Sequence, residues 1–466
     1  MKDPFEMKGI WWLPDNPEKK LTGTLSFSQD DGLHLEIIGV FGEKFIIENE
    51  HNPIIYGVSQ PGKPVTLYKC FITHKTSPIT GLGKSVYRVH FAFEGVHFER
   101  EEDIKFHQLC GSYTDLDAWV NIYGFEINQE EDDGEFVWNI KFARPQPHIY
   151  NIENDLEAGI SFGYKGPNSS IVQTDVKISQ RANLCIKSNQ KDILFEELFG
   201  RLNTFTYLIQ IATQGILYPL TIFGLSHKNA RTFKNDKKYL PPINIYFQPI
   251  EAFRNQKQKI PQEMLFTFND LEEAQIVQWF QSFEKYKTVI HLYGTLFYND
   301  RLFIENRFLN IAQALESLHS ILFNNQNLPY DEFISRKERI LQDTPEDLQE
   351  WVKEALSNAN YKRFRKKILE LLTNKKDIIG YFVDDFDHFS KRVMHTRNEF
   401  VHHNKRKWSF QRGEELVLAI DILTILFEAY VLEIICFSED KVKELLDAKI
   451  KTRLSGWKTL RSMKKK

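Results

Sequence analysis

The chain has 466 residues, 42% of them hydrophobic and 37 of them Phe, and a formal net charge of −3 at pH 7. That length calls for two or three domains, each with enough apolar residues for a full core. A near-neutral balance excludes steering toward nucleic acid or a membrane by overall charge, so either partner would have to meet a local patch.

Cys70, Cys110, Cys185 and Cys436 are scattered, with neither C-x-x-C nor metal-ligand spacing, and read as reduced thiols of a cytosolic protein. The opening MKDPFEMKG has no apolar run of signal-peptide type, so a cytoplasmic location is expected.

Residues 1–190 read as strands. Runs such as LTGTLSFS, LHLEIIGV, VTLYKCFITH, SVYRVHFAF and EAGISFGYK alternate or cluster β-branched and aromatic residues between Gly, Asn, Asp and Pro. Regular short strands of this kind predict a β-rich, sandwich-like or barrel-like domain. TGLGKS (80–85) suggests a phosphate loop, but Pro stands at 78 where a Walker motif needs Gly, and a strand follows instead of a helix. It is read as a hairpin turn, as is the acidic QEEDDGE (129–135). Trp11 and Trp12 are assigned to aromatic packing.

Residues 191–270 mix one helical pattern with short strand-like pieces and are taken as a connecting α/β segment. From 271 to 466 the pattern is helical, which predicts an all-α bundle. The apolar segment 416–437 is nearly long enough to cross a bilayer but carries Asp421, Glu428 and Glu433. Carboxylates are costly in hydrocarbon, so it is read as a buried bundle helix. A basic run at Lys362, Arg363, Arg365, Lys366 and Lys367 and the acid-free end 451–466 are read as solvated faces or RNA-backbone contacts.

The chain is organised around residues 378–404, IIGYFVDDFDHFSKRVMHTRNEFVHHN. Phe382, Phe386, Phe389, Val393 and Phe400 recur at helical spacing and predict an amphipathic helix. At its end come Arg397, Asn398, His402 and His403. A guanidinium is a fixed cation with a donor fork matched to phosphate oxygens, and an imidazole moves protons near neutral pH. Together they suit cleavage of a phosphodiester without a metal. Arg397 and His402 are five residues apart, about 140° round a regular helix. Either the long Arg reaches round, or the helix unwinds near Val401, or the two meet across a dimer. The acidic cluster Asp384, Asp385, Asp387 and His388 interleaves with Lys391 and Arg392 and is read as a solvated helix face, not a metal site.

The pattern R-N-x-x-x-H at Arg397–His402, between two helices, resembles the HEPN ribonucleases. RFLNIAQALESLHSILF (307–323) and GIWWLPDNPEKKLTGTLSF (9–27) are similar to the ApeA-like branch of that family. The resemblance implies a cytoplasmic, metal-independent endoribonuclease of a bacterial anti-phage, abortive-infection system, with no cofactor. Arg397, Asn398 and His402 would form a composite cleft in a homodimer, His403 being the alternative imidazole. Glu316 and His319 would support the site, and Lys405, Arg406 and Lys407 would contact RNA. A phage-derived trigger on the N-terminal domain is implied as a partner. The alternative is a non-catalytic HEPN module that binds RNA or protein.

Overall fold

In the first strands apolar and polar residues alternate, which turns one side of each strand inward. The computed structural model describes residues 3–41, 51–76, 83–133, 135–153, 155–167, 176–232, 238–249, 257–298, 302–402, 409–447 and 449–450. Six strands come first: β1 (Phe5–Leu13), β2 (Asn16–Ser28), β3 (Gly32–Ile38), β4 (His51–Ser59), β5 (Pro64–Thr76) and β6 (Lys84–Glu94). They pair antiparallel in the circuit β1–β2–β3–β6–β5–β4 and back to β1, so the ladder closes into a ring. The closing contact pairs Gly9–Trp12 of β1 with Tyr56–Ser59 of β4, which shortens the edge these strands would otherwise expose. Trp11, Leu25, Phe27, Leu35, Leu67 and Tyr87 fill the inside. Trp11 fits because β4 carries Gly57 beneath it: a Cβ there would sit 2.2 Å from the indole. Trp12 packs instead edge-on against His97 and Tyr56.

The last residues of β6 also pair with Ile243–Phe247, and from there an arm runs through Pro219–Leu225, Gln108–Tyr113, Ser179–Ser188, Leu156–Lys165 and His148–Glu153. Among the described residues the main sheet therefore has twelve strands. The short helix α1 (Leu116–Val120) precedes α2 (Phe195–Thr213), which packs on the strands Gln108–Tyr113 and Ser179–Ser188. Much of the Phe content lies where ring and arm meet: Phe195 is 4.9 Å from Phe91 and 5.0 Å from Phe93 between ring centroids.

The stretch 191–270, read from the sequence as a connecting segment, supplies α2 and two strands of this same sheet. The chain divides into two compact units, Met1–Phe280 and Gln281–Lys466. Cys110 and Cys185 overturn the reading of four unpaired thiols. Pairing of neighbouring strands sets them directly opposite each other, and they form a disulfide. Of the acidic run, residues 129–132 end the strand Phe125–Asp132, which pairs antiparallel with Glu135–Phe142 as in a hairpin.

The second unit is helical. Among the described residues its helices include the end of α3 (Glu273–Tyr298), then α4 (Ile304–Leu322), α5 (Tyr330–Gln342), α6 (Glu346–Ala355), α7 (Phe364–Asn374), α8 (Lys376–Ile379), α9 (Phe386–His402) and α10 (Glu414–Ile434), and a further helical stretch begins at residue 439. α4 packs on α7, α9 and α10, and α7 packs on α9, so these four form the bundle. α5 and α6 pack on each other and bury no residue fully. The β-rich first part and the helical second part are as the sequence implied.

α10 is the buried helix expected of 416–437. Its fully buried Glu428 accepts a hydrogen bond from Tyr293 Oη at 2.9 Å and has Lys449 Nζ at 3.9 Å, while Glu433 pairs with Lys375. A buried carboxylate with such partners is tolerated in a protein core. Among the described residues no helix is long and apolar enough to cross a membrane.

Candidate functional site

The organising stretch is not one continuous helix. After α8 the chain breaks at residues 380–385, and α9 begins at Phe386. Gly380 is a weak helix former. Asp385 Oδ1 then accepts from His388 N at 2.9 Å, which caps the new helix. Thus Asp385 serves α9, and Asp387 pairs with Arg365 of α7 at 2.5 Å. Phe382 falls in the break; Phe389 and Val393 are buried on the apolar stripe, with Phe400 half-buried beyond them.

The stripe also carries Thr396, which spacing alone overlooks because it is polar. It is fully buried, donates to Arg392 O at 2.9 Å and accepts from Phe410 N at 2.8 Å. That second bond fastens α9 to the segment entering α10. Arg392 lies over the Phe410 ring at 4.2 Å and pairs with Glu415 at 2.7 Å, fixing the same junction. The signal in the sequence is a Thr at a position in step with Phe389, Val393 and Phe400.

Arg397 follows immediately. It is half-buried, and its guanidinium carbon lies 5.5 Å from the centroid of the Phe364 ring on α7. Among the described residues it forms no ion pair with a carboxylate. Phe364 thus holds a cation whose charge no carboxylate within the described bundle neutralises. Asn398 is half-buried one position on. His402 is the last residue of α9 and is exposed. α9 stays helical through His402, so it does not unwind near Val401, and Arg397 and His402 remain about 140° apart round the axis. His403, Lys405, Arg406 and Lys407 lie outside the described residues, as does the basic end 451–466.

The two residues expected to support the site are engaged elsewhere in the bundle. Glu316 has Lys367 as its ion-pair partner at 3.9 Å. His319 is fully buried between α4 and α7, with Nε2 2.9 Å from Glu370 Oε2 and Nδ1 3.2 Å from Asn325 Oδ1. Glu370 is also bonded by Lys362 at 2.7 Å, and although burial opposes it, these partners hold the carboxyl below its ordinary range. The basic run of α7 is spent in the same way. Lys362, Arg365 and Lys367 all face carboxylates within the bundle, and Lys366 donates to Asn327 Oδ1 at 2.9 Å. Most of the run is thus packing charge, while Arg363 is exposed and Arg397 is half-buried without a carboxylate partner among the described residues.

Comparison with known proteins follows the division seen in the fold. Residues 6–279 match the ApeA N-terminal domain 1 model, and residues 309–441 match the Apea-like HEPN model. No curated protein and no solved structure matches. One model spans more than half of the chain and the second covers its helical bundle, so the chain belongs to the ApeA-like HEPN family.

Proposed function

We propose that this protein is a metal-independent endoribonuclease of a bacterial anti-phage system, acting by abortive infection. The observation that carries the reading is Arg397, held half-buried over Phe364 without a carboxylate partner among the described residues, on the same helix as an exposed His402. A cation left uncompensated where a helix reaches the surface suits an anionic ligand.

The 2′-hydroxyl of RNA attacks the adjacent phosphate. His402 takes its proton as general base, and an imidazole returns a proton to the departing 5′-oxygen. Arg397 neutralises charge on the phosphorane, and Asn398 orients the phosphate or the imidazole. Dependence on the 2′-hydroxyl selects RNA over DNA. In a regular α9 the two side chains diverge, so the reading places Arg397 of one protomer and His402 of the other around one phosphate in a homodimer. The N-terminal domain senses a phage-derived trigger or restrains the nuclease, and cleavage of host RNA then halts growth and phage replication together.

The test is to incubate the purified full chain with total cellular RNA in excess EDTA and sequence the cut ends. Ends bearing 2′,3′-cyclic phosphate or 3′-phosphate opposite 5′-hydroxyl are expected. Cleavage that is abolished by chelation and restored by magnesium contradicts the mechanism. RNA binding without any cleavage assigns the bundle to the non-catalytic module instead.

A further inference from the structure

Three side chains of the N-terminal unit converge at a place that the nuclease reading leaves unused. His107 follows the short strand Lys105–Phe106, Asp192 precedes the short strand Ile193–Leu194, and His227 follows Pro219–Leu225. One potential ligand atom from each lies within 4.8 Å of the others. The backbone fixes the three segments together. His107 N donates to Leu225 O at 2.7 Å, Ser188 N donates to His107 O at 2.8 Å, and Ile193 pairs with Phe106.

The side chains are oriented as well as gathered. Asp192 Oδ2 accepts from His227 N at 2.8 Å and from Ser226 Oγ at 3.1 Å, which aims Oδ1 at His227 Nδ1, 2.5 Å away. The His107 and His227 rings meet edge to face with centroids 5.0 Å apart. His107 Nδ1 is buried and makes no hydrogen bond among the described residues. Buried polar atoms in proteins almost always have a partner, and an exception calls for one that polypeptide alone does not supply.

We propose that His107, Asp192 and His227 form a binding site for a divalent transition-metal ion of the zinc class. Two imidazoles and a carboxylate are a characteristic set for such ions, whereas magnesium and calcium prefer oxygen ligands. The His227 side chain is 58% exposed, so the remaining coordination positions face solvent. The cation replaces the proton shared by His227 and Asp192, and that proton passes to solvent. Each nearby lysine has a carboxylate beside it that offsets its charge: Lys187 pairs with Glu157 and Lys228 with Glu99, each at 3.1 Å. Because the ligands come from three segments far apart in the sequence, the ion ties the ends of two sheet strands to the approach to α2.

The experiment is calorimetric titration of the chelator-treated full chain with Zn²⁺, with Co²⁺ as an optical probe. Wild type is expected to bind one equivalent of Zn²⁺, to give visible ligand-field bands with Co²⁺, and to unfold at higher temperature as Zn²⁺ is added; Mg²⁺ should produce none of these. His227→Gln, at an exposed position that folding tolerates, and His107→Gln should each lower Zn²⁺ affinity by about tenfold or more, with loss of the Co²⁺ bands. A wild type that takes up no Zn²⁺ overturns the proposal. So does unchanged affinity in a folded His227→Gln chain.

Discussion

In the proposed function Arg397 is a cation that no carboxylate among the described residues neutralises. Lys362, Arg365 and Lys367 beside it are matched to acids, while Arg397 is steadied by the face of Phe364 at 5.5 Å. A cation–π contact is worth about 0.5–2 kcal/mol, so Phe364→Leu should reduce RNA cleavage by roughly 2- to 30-fold with the fold intact. Phe364→Tyr, which keeps the ring, should restore it; equal losses in both variants would show that the ring matters only for packing. Glu94 on β6 makes a residue-scale prediction for the other unit. It is 7% exposed; burial works against its charge, yet Asn244 at 2.8 Å, Lys63 at 3.1 Å and Tyr246 at 3.0 Å hold its carboxyl below the ordinary range. The unfolded chain therefore binds a proton there more readily than the folded one. The stabilisation is complete above the ordinary carboxylate pKa and fades as pH falls through the depressed folded value. Glu94→Gln should flatten the acidic limb of the stability–pH curve, and a curve parallel to wild type would rule this out.

At the scale of elements, α9 depends on two side chains that its apolar periodicity does not advertise. Asp385→Ala removes the N-cap and should cost about 1 kcal/mol in thermal or denaturant unfolding. Thr396→Val keeps the shape but leaves the amide of Phe410 without its acceptor, at about 1–3 kcal/mol. A loss confined to the noise of the measurement at Thr396 would mean that the α9–α10 junction is held by packing alone. The sequence made the helical half legible because Phe389, Val393 and the run from Leu416 keep a 3.6-residue period. It made the strands legible because Leu33, Leu35 and Ile37 alternate. What it concealed are features set by partners distant along the chain. Closure of the ring depends on β5 meeting β6 and β1 meeting β4, and no local pattern encodes that circuit. Cys110 and Cys185 are separated by 75 residues and become neighbours only through strand pairing. Likewise, the basic run of α7 looks like an RNA-binding face until Glu316, Glu370 and Asp387 are placed opposite it. At the candidate site, Arg397, Asn398 and His402 were legible as a spacing, whereas the support of Phe364 required the packing of α7 on α9.

At the scale of the whole molecule, the proposed nuclease needs two chains to complete one site. A regular α9 aims Arg397 toward α7 and leaves His402 exposed at its end, with Val401 46% exposed beside it. In the proposed homodimer, a two-fold contact between the ends of two such helices would bring both residue types to a shared cleft and cover apolar surface. The purified protein should therefore sediment as a dimer or a multiple of one, and an Arg397→Ala protomer mixed with a His402→Ala protomer should regain part of the activity that neither has alone. A strictly monomeric species with full activity would place the site within one chain. The most direct test of the central claim is the rate of RNA cleavage by purified wild type, Arg397→Ala and His402→Ala, each with its fold verified by circular dichroism. Losses of roughly 10²–10⁴ are expected in both variants, with a much smaller effect of His403→Ala; a folded Arg397→Ala or His402→Ala protein that cleaves RNA at the wild-type rate would exclude that residue from catalysis.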